Sequence, residues 1–131
     1  MLDSFSDRCY NTLRLEVTVL EDRVYIAKLF DMYGSLLKDR QREIVNMHYL
    51  LDYSLAEIGE ELDISRQAAH DALKKSADSL KFFEDKLSLV KNRTLNEKII
   101  SDFKEKIFSM DIKETDRIFL TEKLNELEER L

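Results

Sequence analysis

An all-α fold is what this sequence predicts, and three features carry the prediction. The chain has no Pro and only two Gly, Gly34 and Gly59. Multi-stranded β folds with many tight turns therefore lose their usual punctuation, and helices can run long. Leu, Ile, Val and Phe make up 41 of the 131 residues, well above the poverty of core-formers that marks disorder. Those apolar residues recur at spacings of three and four through most of the chain. At 15.5 kDa there is one domain's worth of polypeptide and little room for a second.

Residues 1–22 carry two competing patterns. Leu13, Leu15, Val17 and Val19 alternate with Arg14, Glu16 and Thr18 at a strand period. Tyr10, Leu13, Val17, Leu20 and Val24 also fall at helical spacing. A lone strand has no partner here, so the segment reads as an N-terminal extension, either helical or unordered, or as a misassigned start. From Arg23 the signal sharpens. Tyr25, Ile26, Leu29, Phe30, Met32, Tyr33, Leu36 and Leu37 fill a wide helical arc, which implies contact on more than one side. Asp39 is placed to cap a second helix running to about Leu51, with Ile44, Val45, Met47, Leu50 and Leu51 as its apolar set.

Ser54-Leu55-Ala56-Glu57 fits the reciprocal capping box, in which each side chain satisfies the other residue's backbone N–H. It opens a short helix, Leu55 to Leu62, with Leu55, Ile58 and Leu62 inward. Asp63-Ile64-Ser65 follows at once: Asp tolerates a left-handed conformation, and Ser65 can cap the next helix. Two helices joined by about three residues are the outline of a helix-turn-helix. The second is expected to run from Ser65 to about Val90, with Ala69, Leu73, Ser76, Ala77, Leu80, Phe83 and Leu87 on one face. Phe82 falls on the opposite, polar face, where the C-terminal segment or a second protomer would meet it.

Asn92-Arg93-Thr94 reads as a joint, with Thr94 capping a further helix whose stripe is Leu95, Ile99, Phe103, Ile107 and Met110. A last helix from about Lys113 carries Leu120, Leu124, Leu127 and Leu131, a heptad-like seam. Packing on the long helix is its plain reading; dimerisation is the sharper one. The expected organisation is thus an extension at 1–22, a helix-turn-helix domain at 23–91 and a C-terminal helical pair at 92–131.

The function classes narrow by counting. Cys9 is the lone cysteine and His48 and His70 the two histidines, so there is no disulfide framework and no metal-ligand set by spacing. The first ten residues, MLDSFSDRCY, do not read as a secretory signal, and no uncharged stretch approaches the roughly 20 residues of a membrane span. A cytoplasmic protein without cofactor or membrane contact is expected. The two glycines are too far apart for a phosphate loop. Glu57, Glu60 and Glu61 are accounted for by a cap and a solvent face. An enzyme is the class the sequence supports least. Net charge is −6, which is not the footprint of a protein bound to nucleic acid mainly through phosphates. The acidity is thinnest over 23–91, where any polyanion contact belongs.

The span from Leu37 to Leu80 resembles the DNA-reading region 4 of bacterial sigma factors. The resemblance lies in Arg40 and Arg42 at a helix start, Tyr49, Asp52-Tyr53-Ser54-Leu55, Glu57-Ile58-Gly59-Glu60-Glu61-Leu62, and Ser65-Arg66. Widened to begin at Arg23, the chain resembles the YlxM family of small sigma-region-4-like proteins. The likeness is close over 23–91 and is one of pattern over 92–131. It implies a winged-helix-like, helix-turn-helix, all-α domain. It also implies a non-enzymatic regulatory or accessory role in the signal recognition particle pathway, with the particle's GTPase, its receptor or its RNA as partner.

The outer face of the second helix supplies the candidate nucleic-acid-binding residues. Gln67 can bond adenine and Arg66 guanine in a major groove. Lys74, Lys75 and Lys81 can meet phosphates, with His70 as a pH-sensitive donor and Arg40 and Arg42 as additional contacts. Asp71 and Asp78 lie among them, so the face carries a small positive excess. If Arg66 and the three lysines all met phosphates, log K would fall against log salt with a slope of about −3 to −4, a weak anchor for a monomer. A sequence-specific DNA-binding regulator is the rival reading, and a homodimer would pair two such helices. His48, beside Tyr49, reads as a half-buried packing residue.

Overall fold

The computed structural model describes residues 22–131; the readings made for 1–21, Cys9 included, lie outside the described residues. Among the described residues there are six α-helices and no strand. They are α1 (22–33), α2 (Asp39–Val45), α3 (Leu55–Leu62), α4 (Arg66–Leu87), α5 (Leu89–Ser109) and α6 (Glu114–Glu129). The chain divides into two compact units between Leu87 and Ser88, so that α1–α4 belong to the first and α5 and α6 to the second.

Helix α1 buries Ile26, Leu29 and Tyr33 at spacings of three and four, and a 3₁₀ turn at Gly34–Leu36 carries the chain on to a buried Leu37. The buried stripe is narrower than the predicted arc: Tyr25 and Leu36 are largely exposed. An outer helix of a small unit meets the core on one side only, and apolar residues beyond that side stay in water.

Helix α2 starts differently from the expected Asp39 cap. Lys38 is the N-cap, its N–H donating to Gln41 Oε1 at 3.4 Å. Asp39 is the first helical residue and pairs with Arg42, still at the positive end of the helix. After Val45 the coil widens into a π-helical segment, Asn46–Leu50, and Leu51 N–H reaches back five residues to Asn46 O at 3.0 Å. The wider turn alters the register. Met47 stays buried, but Leu50 and Leu51, expected on the apolar face, are more than half exposed. Arg23 of α1 holds this segment, donating to His48 O at 3.1 Å and to Asp52 Oδ1 at 2.6 Å. Half-buried His48 lies with Nδ1 2.9 Å from Tyr53 O, so Nδ1 carries the proton.

The helix-turn-helix is built locally. Ser54 Oγ accepts from Glu57 N–H at 3.1 Å while Glu57 Oε2 accepts from Ser54 N–H at 3.2 Å. Helix α3 ends at Asp63, which is left-handed at φ 53° and ψ 48°. The chain then doubles back so that Ile64 N–H bonds Gly59 O at 2.9 Å. Gly59 permits this closeness, because a Cβ there would stand 2.7 Å from Ile64 O. Ser65 Oγ accepts from Ala68 N–H at 3.0 Å and starts α4. Both α2 and α3 pack on α4. Ala69, Leu73, Ser76 and Leu80 of α4 are buried, as are Ile44, Val45 and Ile58.

Toward its C-terminus α4 departs from the sequence reading. Glu84 is buried and accepts a 2.7 Å hydrogen bond from the fully buried Tyr33 hydroxyl. Leu87, expected inward, is half exposed. The helix does not continue to Val90. It breaks at Ser88, which adopts φ 53° and ψ 29°. Asn92–Thr94 therefore lie inside α5, where Thr94 Oγ1 donates to Val90 O at 3.0 Å instead of capping a helix. A left-handed serine has no distinctive sequence signal, whereas Asn-Arg-Thr resembles one.

In the second unit, α5 and α6 form an antiparallel hairpin and α5 buries Ile100 and Ile107. Arg117 ties the turn: Nη1 donates to Ile107 O and Phe108 O, both at 2.7 Å, and Nη2 to Met110 O at 3.0 Å. Phe108 O and Met110 O lie at the end of α5, where helical partners run out, and Ile107 O also accepts the Met110 N–H at 3.3 Å. Lys104 Nζ meets Glu128 at 2.6 Å farther along. The least exposed residues of α6 are Arg117, Thr121 and Leu124, so the leucine seam is rotated partly outward, and Leu120 and Leu127 are exposed.

Candidate nucleic-acid interface

The outer face of α4 is created by the burial of its inner one. With Ala69, Leu73, Ser76 and Leu80 turned inward, helical geometry turns Gln67, Asp71, Lys74, Lys75, Asp78 and Lys81 outward. All six are exposed, as are Arg66 and His70. Arg66, Lys74, Lys75 and Lys81 are not held by ion pairs among the described residues, and their charges project into solvent.

Gln67 and His70 are arranged differently. Gln67 Nε2 donates to Asp71 Oδ1 at 3.0 Å, and His70 Nδ1 lies 3.4 Å from the same oxygen. One carboxylate gathers a candidate base reader, Gln67, and the candidate pH-sensitive donor, His70. A bidentate contact of Gln67 with adenine uses its amide N–H, so it must compete with Asp71. The signal was present in the spacing, since Gln and Asp four apart on a helix surface are neighbours. Lys74 and Lys75 line a shallow, open trough with Asp71, Asp78, Ser79, Phe82 and Phe83. Phe82 is exposed, and Lys86 Nζ lies 5.6 Å from its ring centre.

Arg40 and Arg42 do not join that trough. They line a separate depression with Phe30, Asp39, Glu43 and Asn46. Arg40 Nη2 donates to Leu62 O at 3.1 Å, satisfying a carbonyl at the end of α3, and Nη1 lies 3.6 Å from Glu43. Arg42 pairs with Asp39. Both arginines therefore have positions within the fold of the helix-turn-helix, and Arg40 acts directly on its turn. The sequence reading missed the roles of Arg40 and Glu84, because each depends on a neighbour brought up by folding, and that of Asp71 although its i, i+4 spacing from Gln67 was on view.

Elsewhere in the first unit two phenols are pushed above their ordinary range. For Tyr25 the cause is burial first, then the negative charges of Glu84 and Asp85. For Tyr49 it is again burial, with Arg23 opposing and Asp22 adding to it. Among the described residues no three or more His, Cys, Asp or Glu are grouped to hold a metal ion. No helix among them is long and apolar enough to cross a membrane.

Residues 20–119 match the family described as "UPF0122: Putative helix-turn-helix protein, YlxM / p13 like". The match covers α1 to α5 and enters α6, so it takes in most of the second unit and not only the part resembling a sigma factor. A UPF0122 protein of Caldanaerobacter subterraneus subsp. tengcongensis is 54% identical over 85 residues, 65% of this chain and 73% of the relative. One of Thermoanaerobacter sp. is 58% identical over 71 residues, 54% of this chain and 61% of the relative. One of Clostridium botulinum is 39% identical over 109 residues, 82% of this chain and the whole of the relative. The helix-turn-helix geometry and these matches agree, and the chain belongs to the UPF0122, YlxM/p13-like family.

Proposed function

We propose that this chain is a non-enzymatic regulatory protein that holds nucleic acid on the outer face of α4, within the signal recognition particle pathway to which its family resemblance points. The observation supporting the nucleic-acid contact is the row of four exposed cations, Arg66, Lys74, Lys75 and Lys81, free of internal ion pairs among the described residues and backed by a rigid α3–turn–α4 corner. Asp71 and Asp78 temper that row. The contact is therefore modest in affinity, with a salt dependence set by four phosphate contacts at most. The particle's RNA, its GTPase and the GTPase's receptor are the partners in this reading.

Fluorescence anisotropy with the particle RNA and with a random DNA duplex, each at several salt concentrations, tests it. The expected slope of log K against log salt is about −3 to −4, and Lys74→Ala with Lys75→Ala lowers its magnitude by about 2. No binding to either nucleic acid at micromolar protein, together with no capture of the GTPase or its receptor, overturns the reading. An enriched DNA motif lost on Arg66→Ala or Gln67→Ala shifts it to a sequence-specific DNA-binding regulator, the reading favoured by the placement of Arg66 and Gln67 in the first turn of α4.

A further inference from the structure

Helix α5 carries an apolar stripe that the hairpin does not cover. Leu95, Ile99 and Phe103 recur every fourth residue and are 50%, 53% and 54% exposed, with Met110 farther along at 41%. They lie on a different side of the helix from Ile100 and Ile107, which the hairpin buries. Lys98 and Asp102 flank the stripe along one edge; both are exposed, and neither is held by an ion pair among the described residues.

We infer that this stripe is the docking site of a second copy of the chain, α5 against α5 in antiparallel sense, with the two-fold axis passing by Ile99. The pattern is self-complementary about that residue. Leu95 and Phe103 lie four positions to either side, about 6 Å along the axis, so each Leu95 meets the partner's Phe103, and Ile99 meets its own copy. An isologous interface demands this relation. The charges select the direction. In an antiparallel pair each edge of one helix faces the same edge of the other, so Lys98 lies about 3 Å along the axis from the partner's Asp102 and from the partner's Lys98 alike, which gives two attractions against one repulsion. A parallel pair sets that edge against the opposite edge, where Asn96 stands and no such pairing exists.

The area suits a modest dimer. Leu95, Ile99 and Phe103, half exposed and about 200 Å² each, remove about 300 Å² per protomer. The flanking side chains, Lys98 and Lys106 chiefly, bring this to about 500 Å² per partner, the size of a weak, reversible interface. The dimer pairs two copies of the nucleic-acid face, but it stands on observations independent of that face.

The full chain's mass in solution is the first test, with a value of twice 15.5 kDa expected at about 100 µM. Ile99→Glu places two carboxylates on the axis and gives a monomer. Its helical circular dichroism is unchanged, because residue 99 is already half exposed. Lys98→Glu weakens the dimer about tenfold by turning two ion pairs into repulsions, and adding Asp102→Lys restores it. In a Cys9→Ser background, Ile99→Cys forms a disulfide-linked dimer on mild oxidation, while Ser101→Cys, on another side of α5, does not. A monomeric wild type, a dimer that survives Ile99→Glu, or equal cross-linking through residue 101 overturns the proposal.

Discussion

Replacing Gly59 by Ala tests whether the helix-turn-helix corner depends on one absent methyl group. At an open position in a helix the change stabilises by about 1 kcal/mol, because Ala has the better helix propensity. Gly59 is not open. The new Cβ would stand 2.7 Å from Ile64 O, and that atom is backbone, fixed by the left-handed Asp63 and by the 2.9 Å bond from Ile64 N–H to Gly59 O. Relief requires the turn to move away from α3. Overpacking of this kind costs about 1–3 kcal/mol, and loss of the Gly59–Ile64 bond costs about 1 more. Against the propensity gain, the net is a destabilisation of about 1–3 kcal/mol. For a unit of this size each kcal/mol shifts Tm by about 4–8 °C, so a fall of roughly 5–20 °C is expected. Urea denaturation followed by circular dichroism reads it directly. Gly34→Ala is the matched control. Its Cβ would meet the Phe30 ring at 3.1 Å, a side chain able to yield, and a change within about 1 kcal/mol is expected. A Gly59→Ala protein as stable as the wild type, or more so, refutes the account of the turn.

Three further substitutions probe separate parts of the fold. Tyr33→Phe removes the hydroxyl that donates to buried Glu84 and is expected to lower the unfolding free energy by about 1.5–3 kcal/mol, seen as a lower urea midpoint. Ser54→Ala removes the acceptor for Glu57 N–H and is expected to cost about 1 kcal/mol, with faster hydrogen exchange at Glu57 than at Leu73. Arg117→Ala strips three hydrogen bonds from the end of α5. It should raise exchange at the N-terminus of α6 while leaving α3 and α4 protected, since the perturbed contacts lie in the second unit.

The parts of this protein that were legible before any coordinates share one property: they are made by residues close together in the chain. The Ser54–Glu57 box, the left-handed Asp63, the Ser65 cap and the inward Ala69 and Leu73 are all readable from spacing, because a helix end must satisfy its own orphan groups within a few residues. The outward placement of Arg66, Lys74, Lys75 and Lys81 follows from the same helical period once the buried face is known.

The remainder came from contacts between distant segments. Nothing near Leu50 announces the π-helical turn; Arg23 helps hold it, from a helix more than twenty residues earlier. Arg40 reads as a surface cation until Leu62 O is brought to it, and Glu84 as a solvent-facing charge until Tyr33 covers it. The break at Ser88, four residues before the apparent joint, is likewise silent in the local pattern. Local hydrogen bonding selects which elements form and how they begin and end. Which polar groups lose water, and which apolar faces keep it, is settled only when the elements pack against one another, because desolvation depends on the whole neighbourhood and not on the chain's own few nearest residues.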